Sequence, residues 1–271
     1  MATTTAIISF CQWPSFLSSC PVPSSSSLRP SATVSRQSPQ PQPHLHLSAS
    51  SSPADKTLSQ IKNSGVIACL RANSAELALE AANAAIAGGI SVLEIVMSTP
   101  GVFEVLQQLV KEHPTIALGV GTVLEVKDAK IALNAGAKFM MSPAIVKDIM
   151  DYVQSDEILY IPGTMTPTEI LSACKAGAKI VKVYPVSALG GFQYISTLKK
   201  SFPHNFMIAS QGITVDSIEE YILRGASAVV LSDAIFDKEA IEQYNFEKIH
   251  KLAQSAALLG NKAVNKLSIN I

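Results

Sequence analysis

The chain is 271 residues long, 48% apolar and 15% charged, with 21 basic against 21 acidic groups and a formal net charge of zero. That apolar share supports a sizeable core and excludes global disorder, while the charge balance offers no basic field of the kind that nucleic acid selects. No uninterrupted apolar run reaches the length of a membrane span, and Cys11, Cys20, Cys69 and Cys174 have neither CxxC nor metal-ligand spacing, which argues against a disulfide scaffold or a metal centre.

The averages conceal a boundary. Residues 1–54 contain no Asp or Glu, only Arg29 and Arg36 as basic groups, fifteen serines and eight of the fifteen prolines. The serine run 24–27 and Pro39, Pro41 and Pro43 supply no face that can pack. An acid-free, Ser-rich leader with scattered Arg reads as an organellar transit peptide. Its high Ser and Pro content points to a chloroplast rather than a mitochondrion; an ordinary disordered tail is the alternative. A secretory signal lacks its compact apolar segment here. From Asp55 onward the chain keeps 19 basic and 21 acidic groups, net −2, over 217 residues, a length that suits one domain.

Beyond Asp55, short β-branched runs alternate with helical patterns. Strands are predicted at 66–71, 92–97, 116–121, 139–143, 159–163, 180–185, 206–210 and 228–232, with helices between them such as 74–87 and 167–176. Ser74 stands where an N-cap is expected and Pro167 where a first-turn proline is favoured. Four helix-to-strand joints repeat, at 87–89, 135–137, 176–178 and 224–226, each with a glycine that can take the left-handed conformation ending a helix. Buried, non-alternating strands joined this way imply a parallel sheet, and eight units in one domain predict a (β/α)8 TIM barrel over residues 55–260. An open doubly wound sheet should carry GxGxxG after its first strand; residues 70–73 are Leu-Arg-Ala-Asn, and Gly119 and Gly121 come late without a third glycine. Phe246–Gly260 reads as the closing helix, and residues 261–271 show no packing pattern and are expected to fray.

Barrel chemistry sits at the C-terminal ends of the strands. Two ionisable residues lie inside apolar strands: Lys182 in the sixth and Glu94 in the second. Such residues are rarely buried unless paired or functional. Strand alternation puts Lys182 on one face with Ile180 and Tyr184, and Glu94 with Val92 and Val96. Strands two and six share parity, so both groups can occupy one interior layer. A desolvated lysine favours its neutral amine, which attacks a ketone to form a Schiff base; Glu94 is then the candidate acid/base. An ionised Glu94 nearby favours the ammonium instead. A structural ion pair, or side chains snorkelling on the outer face, remains the alternative from position alone.

At this point the sequence matches something specific. AGGISVLEIVMSTP (87–100), LGVGTVLEVKDA (118–129), AGAKFMMSPAI (135–145), YIPGTMTPTEI (160–170), KIVKVYPVSALGG (179–191) and SQGIT (210–214) together resemble the aldolases acting on 4-hydroxy-2-oxoglutarate and 2-keto-3-deoxy-6-phosphogluconate (KHG/KDPG), from about Ile61 to Ala257. The resemblance implies that Lys182 is the Schiff-base lysine, Glu94 the general acid/base, and Thr122 a residue lining the pyruvoyl pocket. It places Pro143 and Tyr184 on the pocket wall and Ser232, after one gap, on the phosphate-contacting serine. It implies a homotrimer that needs no metal or other cofactor, with a small 2-oxo acid and pyruvate as ligands. Thr122 also reads as a helix N-cap, and Pro143 and Tyr184 as packing.

Three departures surround the substrate's ends. Many family members have Arg four residues after the glutamate to hold a carboxylate; here it is Ser98, which lacks a guanidinium's bidentate charged contact, although relatives acting on the galactonate epimer carry a neutral polar residue there. The family's Gly-Gly phosphate turn is Gln211-Gly212, and its last Gly-rich turn is Leu231-Ser232-Asp233. Side chains at Gln211 and Leu231 stand where backbone N–H groups should close on an anion, and Asp233 adds like charge. The expectation is therefore a pyruvate-forming class I aldolase whose acceptor is smaller or unphosphorylated. A non-catalytic barrel with a retained pocket is a second reading. A different phosphate-binding barrel enzyme ranks last, because none of His113, His204 and His250 falls in a candidate strand.

Overall fold

The computed structural model describes residues 51–154 and 157–269. Residues 1–50 of the expected leader lie outside this range. The elements run α1 (Pro53–Ser64), β1 (Val66–Leu70), α2 (Ala75–Ala87), β2 (Val92–Val96), α3 (Val102–Glu112), β3 (Ala117–Gly121), α4 (Val126–Asn134), β4 (Phe139–Met141), α5 (Lys147–Tyr152), β5 (Leu159–Ile161) and β6 (Gly163–Thr164). They continue with α6 (Pro167–Lys175), β7 (Ile180–Val183), α7 (Gly191–Ser201), β8 (Phe206–Ser210), α8 (Ile218–Leu223), β9 (Ala228–Leu231), α9 (Lys238–Glu242) and α10 (Phe246–Ile269). Ser74 Oγ accepts from Leu77 N at 3.2 Å and caps α2. Thr166 and Glu169 form a reciprocal capping box on α6, with Pro167 in the first turn. The joint glycines Gly89, Gly136, Gly177 and Gly225 all have φ between 91° and 109°, a region that only glycine enters freely.

All strand pairings are parallel, in the order β5-β4-β3-β2-β1-β9-β8-β7-β6. The two ends of that order are covalently adjacent: β5 pairs with β4, β6 pairs with β7, and Pro162 joins them. The predicted strand 159–163 is thus one barrel strand broken at a proline, which has no N–H to give a ladder. Its carbonyl still accepts from Lys182 N at 2.9 Å. The result is a single (β/α)8 barrel whose edges are consumed by closure.

Strand alternation divides the apolar residues in two. One cluster lies between strands and helices. The other fills the barrel and includes Ile67, Val92, Phe139, Met141, Ile180 and Ile208. Ala54, Leu58 and Ile61 of α1 belong to this inner cluster, so α1 plugs the barrel's N-terminal end. Asp55 bonds Lys179 Nζ at 2.8 Å at the foot of β7, and Gln60 Nε2 donates to Ser91 O and Thr115 O just ahead of β2 and β3. The first helix accordingly begins ahead of Asp55: Ser52 caps α1 and Pro53 opens it. With this end closed, the C-terminal strand ends are where a ligand can enter.

The sequence reading also stops the closing helix too early. α10 continues past Gly260 to Ile269, with Ala253, Ala256, Ala257, Gly260 and Ala263 buried. These small residues let the helix lie close to its neighbours: a Cβ on Gly260 would stand 2.6 Å from Val66 Cγ2. Among the described residues no helix is long and apolar enough to cross a membrane.

Candidate active site

Lys182 and Glu94 point into the barrel, one layer above the apolar floor. Their strand neighbours Ile180 and Val92 lie in the inner cluster, which fixes the parity of both. Lys182 Nζ stands 3.9 Å from Glu94 Oε1, with the side chains 10% and 1% exposed. That distance is too long for a hydrogen bond, so the two groups face each other without being tied. Nζ also lies 5.4 Å from the centroid of the Tyr184 ring, within cation–π range. Glu94 Oε2 is buried and has no hydrogen-bond partner among the described residues. Buried polar atoms are nearly always paired, and an exception at a barrel mouth points to chemistry.

Sequence reasoning missed the glycine that makes this placement possible. Gly119 pairs with Glu94 in the β2–β3 register. Gly121, two residues on, leaves the space that the carboxylate occupies: a Cβ there would overlap Glu94 Oε1 and lie 2.8 Å from Cγ. On the other side Cys69 pairs with Glu94 in the β1–β2 register, which sets its thiol beside the carboxylate. Burial pushes the thiol well above its usual range and the Glu94 charge adds to the shift, while Lys182 and Arg71 oppose it.

The rim carries the remaining predicted residues. Thr122 is exposed at the tip of β3 with φ +62°. A β-branched residue in the left-handed region costs on the order of 1–3 kcal/mol and persists only where its surroundings impose it. They do here: buried Val123 donates its N–H to Met141 O at 3.0 Å, and its carbonyl accepts from Ser142 Oγ at 2.6 Å, which in turn accepts from Tyr160 Oη at 2.8 Å. Thr122 is not an N-cap; α4 begins after Glu125, which makes no side-chain cap bond. Pro143 is half-buried just past β4, its carbonyl against Gly163 so closely that a Cβ there would collide with it. Tyr184 is half-buried just past β7, its N–H bonded to Thr164 O at 3.1 Å.

The substrate-end departures take physical form. Ser98 is exposed past β2, and its Oγ accepts from Arg71 Nε at 3.2 Å. Arg71 follows β1 directly, so β1 brings a guanidinium to the place where β2 lacks one. A charged residue immediately after a barrel strand was the available signal. Gln211, at the tip of β8, keeps a glycine-like φ of +87°, and its Oε1 accepts from Ser187 Oγ. Gly212, φ +71°, packs where a Cβ would stand 2.5 Å from Ser187 Cβ. Ser232, past β9, lines a cleft of about 200 Å³ with Arg71, Asp233, Lys238 and Glu242. A larger cleft of about 460 Å³ sits by α1 at the plugged end, with Lys56 its one ionisable lining residue; size alone does not mark the site.

A barrel holding a lysine and a glutamate in one buried layer, below a rim with a guanidinium, defines the class of lysine-bearing barrel lyases. A family model described as "KDPG and KHG aldolase" matches residues 58–252, and the chain belongs to that family. It is 27% identical to the KHG/KDPG aldolase of Escherichia coli K12 over 181 residues, 67% of this chain and 85% of that one. It is 29% identical to the 2-dehydro-3-deoxy-phosphogluconate aldolase of Pseudoalteromonas atlantica over 66% and 83% of the two chains. Its fold superposes on KDPG aldolase from Legionella pneumophila, captured with pyruvate as a covalent carbinolamine, with TM-score 0.69 and 29% identity, covering 74% of this chain and 97% of that one.

Proposed function

We propose that Lys182 is the Schiff-base lysine and Glu94 the proton shuttle of this class I aldolase, which cleaves a 4-hydroxy-2-oxo acid reversibly to pyruvate and an aldehyde. The observation that carries the assignment is the buried pair itself, with Nζ 3.9 Å from Oε1 and Oε2 bare. The amine attacks C2 of the substrate; loss of water from the carbinolamine gives an iminium. Glu94 takes the C4 hydroxyl proton as the C3–C4 bond breaks. The bond's electrons pass into the enamine and the aldehyde leaves. Protonation at C3 and hydrolysis release pyruvate and restore the amine. Each transfer needs a base within hydrogen-bond reach or one water of the substrate, and Glu94 is the carboxylate so placed.

Thr122 and Arg71 hold the substrate's carboxylate, and Pro143 and Tyr184 wall the pocket. At the acceptor end, the cleft beside Ser232 sets Asp233 and Glu242 against Arg71 and Lys238, so it offers no net positive charge. Gln211 puts a side chain beside Gly212 in the turn after β8. These features support a smaller or unphosphorylated aldehyde. The test compares kcat/KM for cleavage of 2-keto-3-deoxy-6-phosphogluconate with its dephospho analogue by coupled pyruvate release. Comparable values support the reading. A preference above about a thousandfold for the phosphorylated acid, roughly 4 kcal/mol, overturns it.

The chain acts as a homotrimer: Leu124, Ile131, Met165 and Leu171 leave apolar surface exposed on or beside α4 and α6, and light scattering reads the assembly directly. The residues ahead of α1 direct it to the plastid stroma. Their acid-free, Ser-rich composition supports this, and import into isolated chloroplasts with loss of the leader tests it.

A further inference from the structure

Glu94 has two oxygens in unlike surroundings. Oε2 is bare. Lys182 approaches Oε1 but is too distant to hydrogen-bond it. β3 presents only Gly119 and Gly121 to this layer, and the floor beneath is apolar. A carboxylate so placed is free to turn about its last bond unless a donor holds it. Among the described residues the group across the sheet from it that can donate is Cys69, opposite Glu94 in the β1–β2 register, on the same inner face as Ile67 and packed against the inner cluster.

We propose that Cys69 is a positioning residue for the aldol reaction: its S–H anchors one side of the Glu94 carboxylate and so presents the other oxygen to substrate held on Lys182. The proposal rests on the assignment of Glu94 as proton shuttle. A sulfhydryl is a weak donor with the volume of a small apolar side chain, so it orients the carboxylate without competing strongly for its charge. Burial and the Glu94 charge both hold the sulfur in its protonated, donating form. The charged and titratable groups beside Glu94 are Lys182 from β7 and Cys69 from β1, with Tyr184 standing beside Lys182 Nζ. From β4, β5, β8 and β9 the inner cluster presents apolar side chains such as Phe139, Ile161, Ile208 and Val230.

The experiment uses Cys69→Ala, Cys69→Val and Cys69→Ser in the full chain, with 2-keto-3-deoxy-6-phosphogluconate and 4-hydroxy-2-oxoglutarate as substrates and pyruvate release as readout. Ala and Val bracket the volume of the thiol and both lose the donor; Ser keeps the donor. Loss of positioning should lower kcat about tenfold in the Ala and Val variants, since a misplacement of one ångström costs up to a hundredfold, with KM within about twofold. The pH profile of kcat should shift in these two variants, while Ser restores both rate and profile. A Val variant with unaltered kcat and profile overturns the proposal, because Cys69 then only fills space. A Ser variant as slow as the Val variant overturns it as well. If the Ala variant does not fold, the Val and Ser pair carries the comparison. Glu94→Gln runs beside them: near-normal kcat there refutes the shuttle assignment itself, whereas a large loss there with an unaffected Val variant refutes only the role of Cys69.

Discussion

Gly121→Ala is the smallest change that tests how the site is built. The new Cβ would overlap Glu94 Oε1 and stand 2.8 Å from Cγ, against an ordinary carbon–carbon separation of about 3.5–4.0 Å. The strand cannot retreat easily, because Gly121 O accepts from Met97 N at 2.9 Å and Val123 N is fixed to Met141 O. The carboxylate must therefore move by roughly an ångström or more. Such a shift costs up to about a hundredfold, and complete loss of the acid–base contribution costs about a hundredfold to ten-thousandfold. The expected fall in kcat is within that range, equivalent to about 3–5 kcal/mol. Gly119→Ala is the control. Its Cβ would meet Phe139 Cδ2 at 2.6 Å, so overpacking should cost about 1–3 kcal/mol of stability with a smaller effect on kcat in the folded fraction. Coupled pyruvate release and thermal melts separate the two effects. A Gly121→Ala enzyme with kcat within threefold of wild type would refute the claim that this glycine exists to seat Glu94.

Arg71→Ala should raise KM for the 2-oxo acid by about tenfold to a hundredfold, the value of a lost charged hydrogen bond, with kcat changed far less; an unaltered KM removes Arg71 from the carboxylate site. Gln211→Gly relieves a left-handed φ of +87° worth on the order of 1 kcal/mol, so the melting point should rise, and the kcat/KM ratio should move toward the phosphorylated acceptor; neither change occurring contradicts the account of that turn. The Glu169 carboxyl is held below its usual range chiefly by the Met165 N–H, with Thr166 adding to it. A depressed native value means its stabilisation is present above the unfolded value of about 4.3 and is lost as pH falls through the native one. Glu169→Gln should flatten the acid limb of urea stability between about pH 5 and 3, and parallel limbs would contradict this.

The parts of the fold with strong periodic signal were legible. β-branched runs marked the strands, and joint glycines marked the helix ends. Lys182 and Glu94 stood out because each interrupts an apolar strand, and shared parity placed them in one layer. Gly121 and Cys69 were not legible, because their importance comes from the neighbour across the sheet, and cross-strand register is not written in local sequence. Arg71 is inconspicuous because it follows β1, whereas Ser98, to which it bonds, follows β2. α1 is hidden at the edge of the Ser-rich N-terminal stretch, where Ser52 is one serine among many. The last turns of α10 were misjudged for a related reason: Ala253, Ala256, Ala257, Gly260 and Ala263 form a close-packing stripe, but small residues carry little hydrophobic signal. Pro162 showed in the sequence, yet its part in joining β5 to β6 appears only once the barrel closes.

The central claim is that Lys182 carries the substrate. Borohydride reduction of the protein with pyruvate, followed by intact mass and peptide mapping, tests it directly, with Lys182→Ala treated in parallel. The account predicts one stable adduct per chain, on Lys182, absent from the variant. No adduct on a folded protein, or an adduct on another lysine, would contradict it.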